Sequence, residues 1–421
     1  VVIVGGGIIG LACAWRARQA GLSVMLLERG RTGEGTSHVA AGMLAPVAEV
    51  EFGEAGRRVL DLGLRSAALW PALAAELHER TGLAVGLRRT GTLVLARDED
   101  EACELERQLA FRASLQLRAE RLLPSAAREL EPALTPTVRL ALHAPDDHSV
   151  DPRLVLAALR RACELEGVDV REQVRVAALA YDGATGFAPH DETHTTGFAP
   201  HDAARAGEAG RPRGACGERV TGVVLDGGER IAAAQVLLAA GAWTSELGLP
   251  AEVSVPVRPV KGQILRLHDP AGPGLLTRVV RFPGGYLVPR GDGRYVLGAS
   301  MEERGHDLHP TAGGVYELLR DAHELVPGIA ELRIEELSVG LRPSTPDNAP
   351  AIGPGALDGL LWATGHHRNG ILLAPLTAQL IAAALTGDST VADLDGCDPL
   401  RLQTARKTAV RGQHGPPLGV L

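Results

Sequence analysis

The chain has 421 residues, carries a formal charge of −8 and is 45% hydrophobic. That length exceeds what one core usually holds, so two domains are expected. The acidic balance argues against a nucleic-acid binder or a polybasic membrane-surface protein.

The first residues, VVIV (Val1–Val4), read as a buried parallel strand. A glycine loop and an amphipathic helix, roughly Ile8 to Ala20 and stopped by Gly21, follow it. SVMLLE (Ser23–Glu28) is the next strand, which completes a β-α-β unit. A Leu/Ala-rich helix is expected near Ala55–Arg80, then the strand GTLVLA (Gly91–Ala96) and charged helices through Glu131. ALHAPDDHSVDP reads as a loop. DPRLVLAALRRACELEG has Asp151 as N-cap, Pro152 in the first turn and Gly167 past the end, the marks of a helix. The strands VDVREQV and RVAALAY come next. TGFAPHD then occurs at Thr185–Asp191 and again at Thr196–Asp202, inside the polar stretch 182–217. A duplication in a surface loop is the simplest reading; a metal site from His190, His194 and His201 is the sharper alternative, with no apolar pattern to hold it rigid. From ERVTGVVLDGGERIAAAQVLLAAGAW onward the chain is strand-rich, with VPVRPVKGQILRLHD, RVVRF, GGYLVPR and RYVLGAS at close spacing, a mainly antiparallel sheet. A helix near Ala312–Leu325, the strand ELSVGLRP, the strand LLWAT, the polar cluster GHHRNG (Gly365–Gly370) and an apolar helix close the ordered part.

The expected fold is α/β plus α+β: a discontinuous Rossmann-like nucleotide domain (1–85, 150–250, 335–400) and a mainly antiparallel substrate domain (86–149, 251–334), with a loose tail at 401–421. The apolar run Ile371–Leu385 is interrupted by Pro375, Thr377 and Gln379 and reads as too short and broken to span a bilayer. Five scattered cysteines, Cys13, Cys103, Cys163, Cys216 and Cys397, form no C-x-x-C pair, which suits a reducing compartment and disfavours zinc or a disulfide framework. No signal peptide precedes the first strand, and the chain opens at Val1 without methionine, so loss of a few residues and a cytoplasmic location are expected. All but two of the 43 basic residues are arginine, the exceptions being Lys261 and Lys407, so only arginines in special contexts carry information.

Gly5-x-Gly7-x-x-Gly10 lies directly between a strand and a helix, the context that turns a weak motif into a dinucleotide fingerprint. Gly5 permits the tight turn, Gly7 lets backbone approach a pyrophosphate, and Gly10 allows close packing of the helix. The helix N-terminus offers free N–H groups to phosphate. Glu28 stands where a carboxylate takes the ribose hydroxyls of an adenosine, which disfavours NADP. NAD and FAD both remain open on the loop alone. The small-residue segment TSHVAAGML (Thr36–Leu44) and the lack of a second G-x-G-x-x-G tilt the choice to FAD reduced by the substrate itself.

VVIVGGGIIG, TSHVAAGML, RPVKGQ, GGYLVPR, YVLGASME, GLRPSTPD and ATGHHRNGILLAP, in this order along the chain, resemble the FAD-dependent amine and amino-acid oxidases of the D-amino acid oxidase type, and among them the glycine oxidases of thiamine biosynthesis. The repeat region has no counterpart in that pattern. The resemblance implies non-covalent FAD held by Gly5, Gly7, Ile8, Ile9, Gly10, Glu28, Arg29, Thr36, Ser37, Ala41, Gly42, Met43, Val174 and Gly241, with His366, His367, Arg368, Asn369, Gly370, Ile371 and Leu372 against the flavin ring. It implies Arg342 as the arginine on the substrate carboxylate, Arg368 as a second active-site arginine, Tyr286 on the carboxylate and Met301 in the pocket wall. It further implies a homotetramer, a small amino acid and O2 as partners, and no metal.

The chemistry is consistent with those residue types. A guanidinium fixes a carboxylate in position and orientation, which brings the α-carbon hydrogen to flavin N5. Hydride transfer, imine release and reoxidation by O2 to H2O2 then need no protein acid or base, because the cofactor carries the difficult step. The bland alternatives are a surface arginine at Arg342 and core filling by Tyr286 and Met301. Rival functions are a quinone-linked D-amino acid dehydrogenase, a sarcosine oxidase and, remotely, an FAD-binding RNA-modification factor. Peroxide formation, flavin release on acid precipitation and salt-sensitive RNA retention separate them.

Overall fold

The computed structural model describes residues 1–182, 219–388 and 396–402. Both TGFAPHD copies, His190, His194, His201 and nearly all of the 401–421 tail lie outside these residues. Two large sheets organise the rest.

The first sheet has six strands in the order Ala351–Pro354, Leu360–Thr364, Val236–Leu238, Val2–Val4, Met25–Leu27, Asp169–Arg171. Its pairs are parallel except at the edge, where Ala351–Pro354 runs against Leu360–Thr364. The central strands VIV, VLL and LLWAT are buried along their whole length, as expected of a parallel sheet covered on both faces. The helix Ile8–Gln19 differs from its expected amphipathic character. Nine of its residues are buried, because helices Pro152–Leu165 and Gly370–Thr386 pack onto it. The expected helix from Asp151 is present as Pro152–Leu165, with Asp151 accepting the Arg153 N–H.

The second sheet has eight strands in the order Arg333–Ser344, Arg258–His268, Arg294–Gly298, Gly285–Pro289, Val279–Phe282, Thr92–Ala96, Leu140–Ala144, Glu120–Leu122. Neighbours are antiparallel except Val279–Phe282 beside Thr92–Ala96. Two expectations differ here. ALHA belongs to the strand Leu140–Ala144 rather than to a loop, since it fills the gap between Thr92–Ala96 and Glu120–Leu122. The expected domain bounds put the strand carrying GLRP with the nucleotide segments; its backbone instead pairs with Arg258–His268 from Arg258↔Ser344 to His268↔Arg333, which makes it an edge of the second sheet.

Half-buried arginines tie segments of the nucleotide side to the second sheet. Arg290 donates to the carbonyls of Val150 (2.8 Å) and Ala41 (2.9 Å), and Arg266 donates to the carbonyl of His38 (2.8 Å). The segment 36–43 of the nucleotide domain is thereby held against the second sheet. Among the described residues, one helical run, His367–Thr386, is long and apolar enough by composition to cross a membrane. Its length therefore exceeds the sequence expectation. It is a core helix, with ten buried residues from Ile371 to Leu385 packed among helices Ile8–Gln19 and Gly53–Thr81.

Candidate active site

The strand Val2–Val4 delivers the chain into Gly5, whose φ of +110° excludes ordinary side chains; a Cβ there would also lie 2.4 Å from the Ala239 carbonyl oxygen. A Cβ on Gly10 would lie 1.9 Å from the Gly5 carbonyl oxygen, so the first helical turn seats directly on the loop. The helix that follows has Gly7 as N-cap with no side-chain cap and no acidic residue in its first turn. Its positive end therefore faces the cavity, with Ser37 Oγ taking only the Ile8 N–H (3.1 Å). Glu28 accepts the N–H of Gly6 (2.7 Å) and of Gly30 (2.8 Å), one on each carboxylate oxygen. An ionised carboxylate has about four acceptor positions, so two remain for a ribose diol. These residues fit an ADP-containing cofactor.

From this loop a cavity of about 1020 Å³ runs to the second sheet. Gly5, Gly7, Ile8, Ile9, Glu28, Arg29, Thr36, Ser37, Ala41, Gly42, Met43, Val174 and Gly241 line one end, and Tyr286, Met301, Arg342, His366, His367, Arg368, Gly370 and Ile371 the other. Gly10, Asn369 and Leu372 are not in the wall. Gly10 lies beneath the loop, and the Leu372 carbonyl is turned to Ser66 Oγ (2.7 Å) and Trp70 Nε1 (3.0 Å). Arg29 stacks its guanidinium 4.4 Å from the Trp243 ring and pairs with Glu246 at 2.9 Å.

At the far end Arg342 projects from the edge strand. Its Nη1 donates to the carbonyls of Ser300 (3.0 Å) and Lys261 (3.3 Å), and its guanidinium lies over Gly262, where a Cβ would come within 2.6 Å of it. Among the described residues no carboxylate pairs with it, which leaves a half-buried cation facing the cavity. Tyr286 lies beside it: burial pushes the phenol pKa up, and the Arg342 guanidinium opposes that shift. Met301 lines the cavity mouth and is 62% exposed.

The cluster GHHRNG divides in three. His366 is buried, with Nε2 3.0 Å from Thr377 Oγ1, and burial lowers its pKa to about 3. His367 sits at φ +47° with Nδ1 2.5 Å from Ser344 Oγ; burial first, then Arg368, Arg342 and Arg258, lower it to about 3. Arg368 was expected near a substrate carboxylate, but it reaches across to Glu51 (2.5 Å) and Glu49 (3.8 Å), so its charge is already opposed.

Glu49 and Arg281 are cavity residues that the sequence reading missed. Arg281 pairs with Glu49 at 3.2 Å and donates to the Ala48 carbonyl at 2.8 Å. Buried Asp147 accepts the Val47 and Ala48 N–H groups, while buried Arg112 donates to the Val47 and Ala48 carbonyls. Burial pushes Asp147 up to about 7 and Arg112 down to about 10. Glu49 is thus set by a framework from three distant segments. No local pattern in VAEVE announces it. Among the described residues no group of three or more metal-ligating side chains is present.

Residues 1–384 match the profile of the family described as FAD dependent oxidoreductase. The chain is 35% identical over 397 residues to the glycine oxidase of Geobacillus kaustophilus, covering 94% of both chains. It is also 35% identical over 415 residues to the bifunctional protein ThiO/ThiG of Synechocystis, covering 97% of this chain and 55% of that one, so it spans about half of that relative. The crystal structure of the G. kaustophilus glycine oxidase superposes with a TM-score of 0.79 at 32% identity, covering 94% of this chain and 97% of that one. That of iminodiacetate oxidase from Chelativorans gives 0.77 at 26%, covering 94% and 98%. The chain belongs to the FAD-dependent oxidoreductases of this amine-oxidising family, and FAD is its cofactor.

Proposed function

We propose that this flavoenzyme oxidises glycine or a comparably small amine at the α-carbon, yielding an imine that hydrolyses to the oxo acid and ammonia, with O2 as final acceptor. The observation that carries the reading is Arg342: a half-buried guanidinium with no acidic partner among the described residues, beside Tyr286, at the end of the cavity opposite the Gly5–Gly10 loop. Names of relatives add support, since several of them are named glycine oxidase. Thiazole synthesis for thiamine is the destination we infer for the product. A cytoplasmic homotetramer is the state we infer from the family resemblance, and light scattering of the purified protein tests it.

Arg342 would hold the substrate carboxylate in a bidentate pair, with the Tyr286 hydroxyl as an added donor. Gly370 and Ile371, in the cavity wall at the start of the helix Gly370–Thr386, would set the positive end of that helix towards the flavin, where negative charge is favoured. When bound, FAD supplies the oxidant that takes the α-hydrogen as hydride and passes the electrons to O2 as H2O2. His366 and His367, with pKa values near 3, are poor proton acceptors at neutral pH. The substrate amine must therefore arrive neutral or lose its proton to water. It follows that kcat/KM rises with pH toward the amine pKa and shows no histidine inflection near 6.5.

The test is a peroxide assay of the purified flavoprotein over glycine, sarcosine, iminodiacetate, D-alanine and L-proline. Glycine or sarcosine should lead. Amine-dependent flavin bleaching without peroxide would point to a dehydrogenase instead. Arg342→Ala should keep its FAD and lose about 10²-fold or more in kcat/KM, near 2.7 kcal/mol of transition-state binding. Unchanged kinetics in that variant would remove the clamp.

A further inference from the structure

Lys261 is one of two lysines in a chain that otherwise uses arginine, and it is 0% exposed. Its ammonium reaches outward to a single stretch of chain, residues 300–311. Nζ donates to Asp307 Oδ2 at 2.7 Å and to the His309 carbonyl at 2.6 Å, and lies 3.7 Å from Glu302. Two residues on, Gln263, also 0% exposed, donates to Glu302 (2.7 Å) and Thr311 (2.9 Å) and accepts the Thr311 N–H (2.8 Å). Ser300 Oγ donates to Glu302 at 2.6 Å.

Elsewhere this stretch is held by polar contacts at its surface, among them an exposed Arg258–Glu303 pair at 3.2 Å. Met301 and Leu308 are 62% and 49% exposed, so no apolar core anchors it. It nonetheless supplies Ser300, Met301, Glu302, Leu308 and Thr311 to the cavity wall. Its middle touches the nucleotide side, where His306 Nε2 lies 3.2 Å from the Ala242 carbonyl and 3.7 Å from Glu246. The same lysine also bears on the substrate clamp. The Lys261 and Ser300 carbonyls are the two acceptors of Arg342 Nη1, and Lys261 and Glu302 exchange backbone hydrogen bonds at 2.9 and 3.0 Å.

We propose that Lys261 is a positioning residue for substrate binding: paired with Asp307, it straps residues 300–311 across the cavity and sets the carbonyls that aim Arg342. A lysine suits this place because its ammonium is a compact point donor that can satisfy a carboxylate and a carbonyl at once, whereas a planar guanidinium needs a wider, flat site. Burying the ammonium is costly unless it is fully paired, so the strap and the lysine stabilise each other. The inference rests on the clamp reading of Arg342 given above.

Three holoenzymes test it: Lys261→Met, the surface change Asp307→Asn, which leaves the core intact, and Asp307→Glu as the conservative rescue. The readouts are KM and kcat for glycine, the affinity for acetate followed by the visible spectrum of the bound flavin, and the rate of tryptic cleavage after Arg304, an exposed residue of the strap. In Lys261→Met and Asp307→Asn, KM for glycine and Kd for acetate should each rise about tenfold, the loss of one charge-assisted pair, with kcat within about twofold of wild type. Cleavage at Arg304 should accelerate, and Asp307→Glu should restore both. Wild-type acetate affinity and tryptic resistance in Asp307→Asn would overturn the proposal, whether or not Lys261→Met folds. Arg342→Ala separates the two readings. If that variant binds acetate like wild type, the clamp reading fails; if it loses acetate while the Asp307→Asn protein does not, only the strap fails.

Discussion

At Gly10 the available space is smaller than a methyl group. A Cβ would sit 1.9 Å from the Gly5 carbonyl oxygen, backbone that is itself held at φ +110°. Gly10→Ala must therefore push the helix off the loop, and the purified variant should be colourless or lose its flavin on gel filtration. His366 gives a residue-level prediction in pH. Its folded pKa is near 3 against about 6.5 unfolded. The unfolded chain takes up the proton first, so the stability that neutral His366 contributes is complete above 6.5 and is lost as pH falls toward 3. Urea unfolding of wild type and His366→Gln at pH 7 and pH 5 should show the gap between them narrowing by up to about 1.4 kcal/mol per pH unit. Residues that answer a backbone demand, such as Gly5 and Gly10, were legible in the sequence, and Arg342 was legible as a cavity residue through the family resemblance that GLRP carries. Arg368 was legible as a cavity residue but not in its pairing. Its partners Glu49 and Glu51 lie more than 300 residues away, and only the fold brings them together.

The helix Gly370–Thr386 carries Pro375 in its first turns, where a missing N–H and a ring clash ordinarily break a helix. The long helix Gly53–Thr81 supplies the compensation. Ser66 Oγ donates to the Leu372 carbonyl at 2.7 Å and lies 3.4 Å from the Leu376 N–H, and Trp70 donates to the same carbonyl. Ser66 is 0% exposed, so Ser66→Ala would leave buried groups short of a partner and should destabilise the holoenzyme by about 1–3 kcal/mol, read from chemical denaturation. Elements with strong boundary signals, such as Asp151–Pro152 and the glycine loop, matched their expected positions. ALHA did not, because two alanines and a histidine give a weak strand signal and the pairing partners on either side decide the matter. The GLRP strand pairs in the second sheet rather than with the nucleotide segments for a similar reason. Alternation says that a segment is a strand, not which sheet it joins.

For the whole molecule, FAD is structural as well as chemical, since its cavity is walled by both sheets and by the segment 36–43 that bridges them. A ligand that binds only the folded state at 100 times its Kd adds about 2.7 kcal/mol. The apoprotein should melt measurably lower than the holoenzyme, and its melting temperature should climb with added FAD but not with added NADP. A flat response to FAD would contradict the cofactor geometry.

The strand order of the six-stranded sheet has a consequence for synthesis. Val2–Val4 sits at the centre, and one of its two neighbours, Val236–Leu238, is made about 230 residues later. At roughly 5–20 residues per second the ribosome needs on the order of ten to fifty seconds to supply it. During that interval this wholly apolar strand is half paired, with its Val236–Leu238 side open to any other edge. Slow production of this chain, or truncation before Leu238, would leave a nascent domain that depends on chaperones to stay out of aggregates.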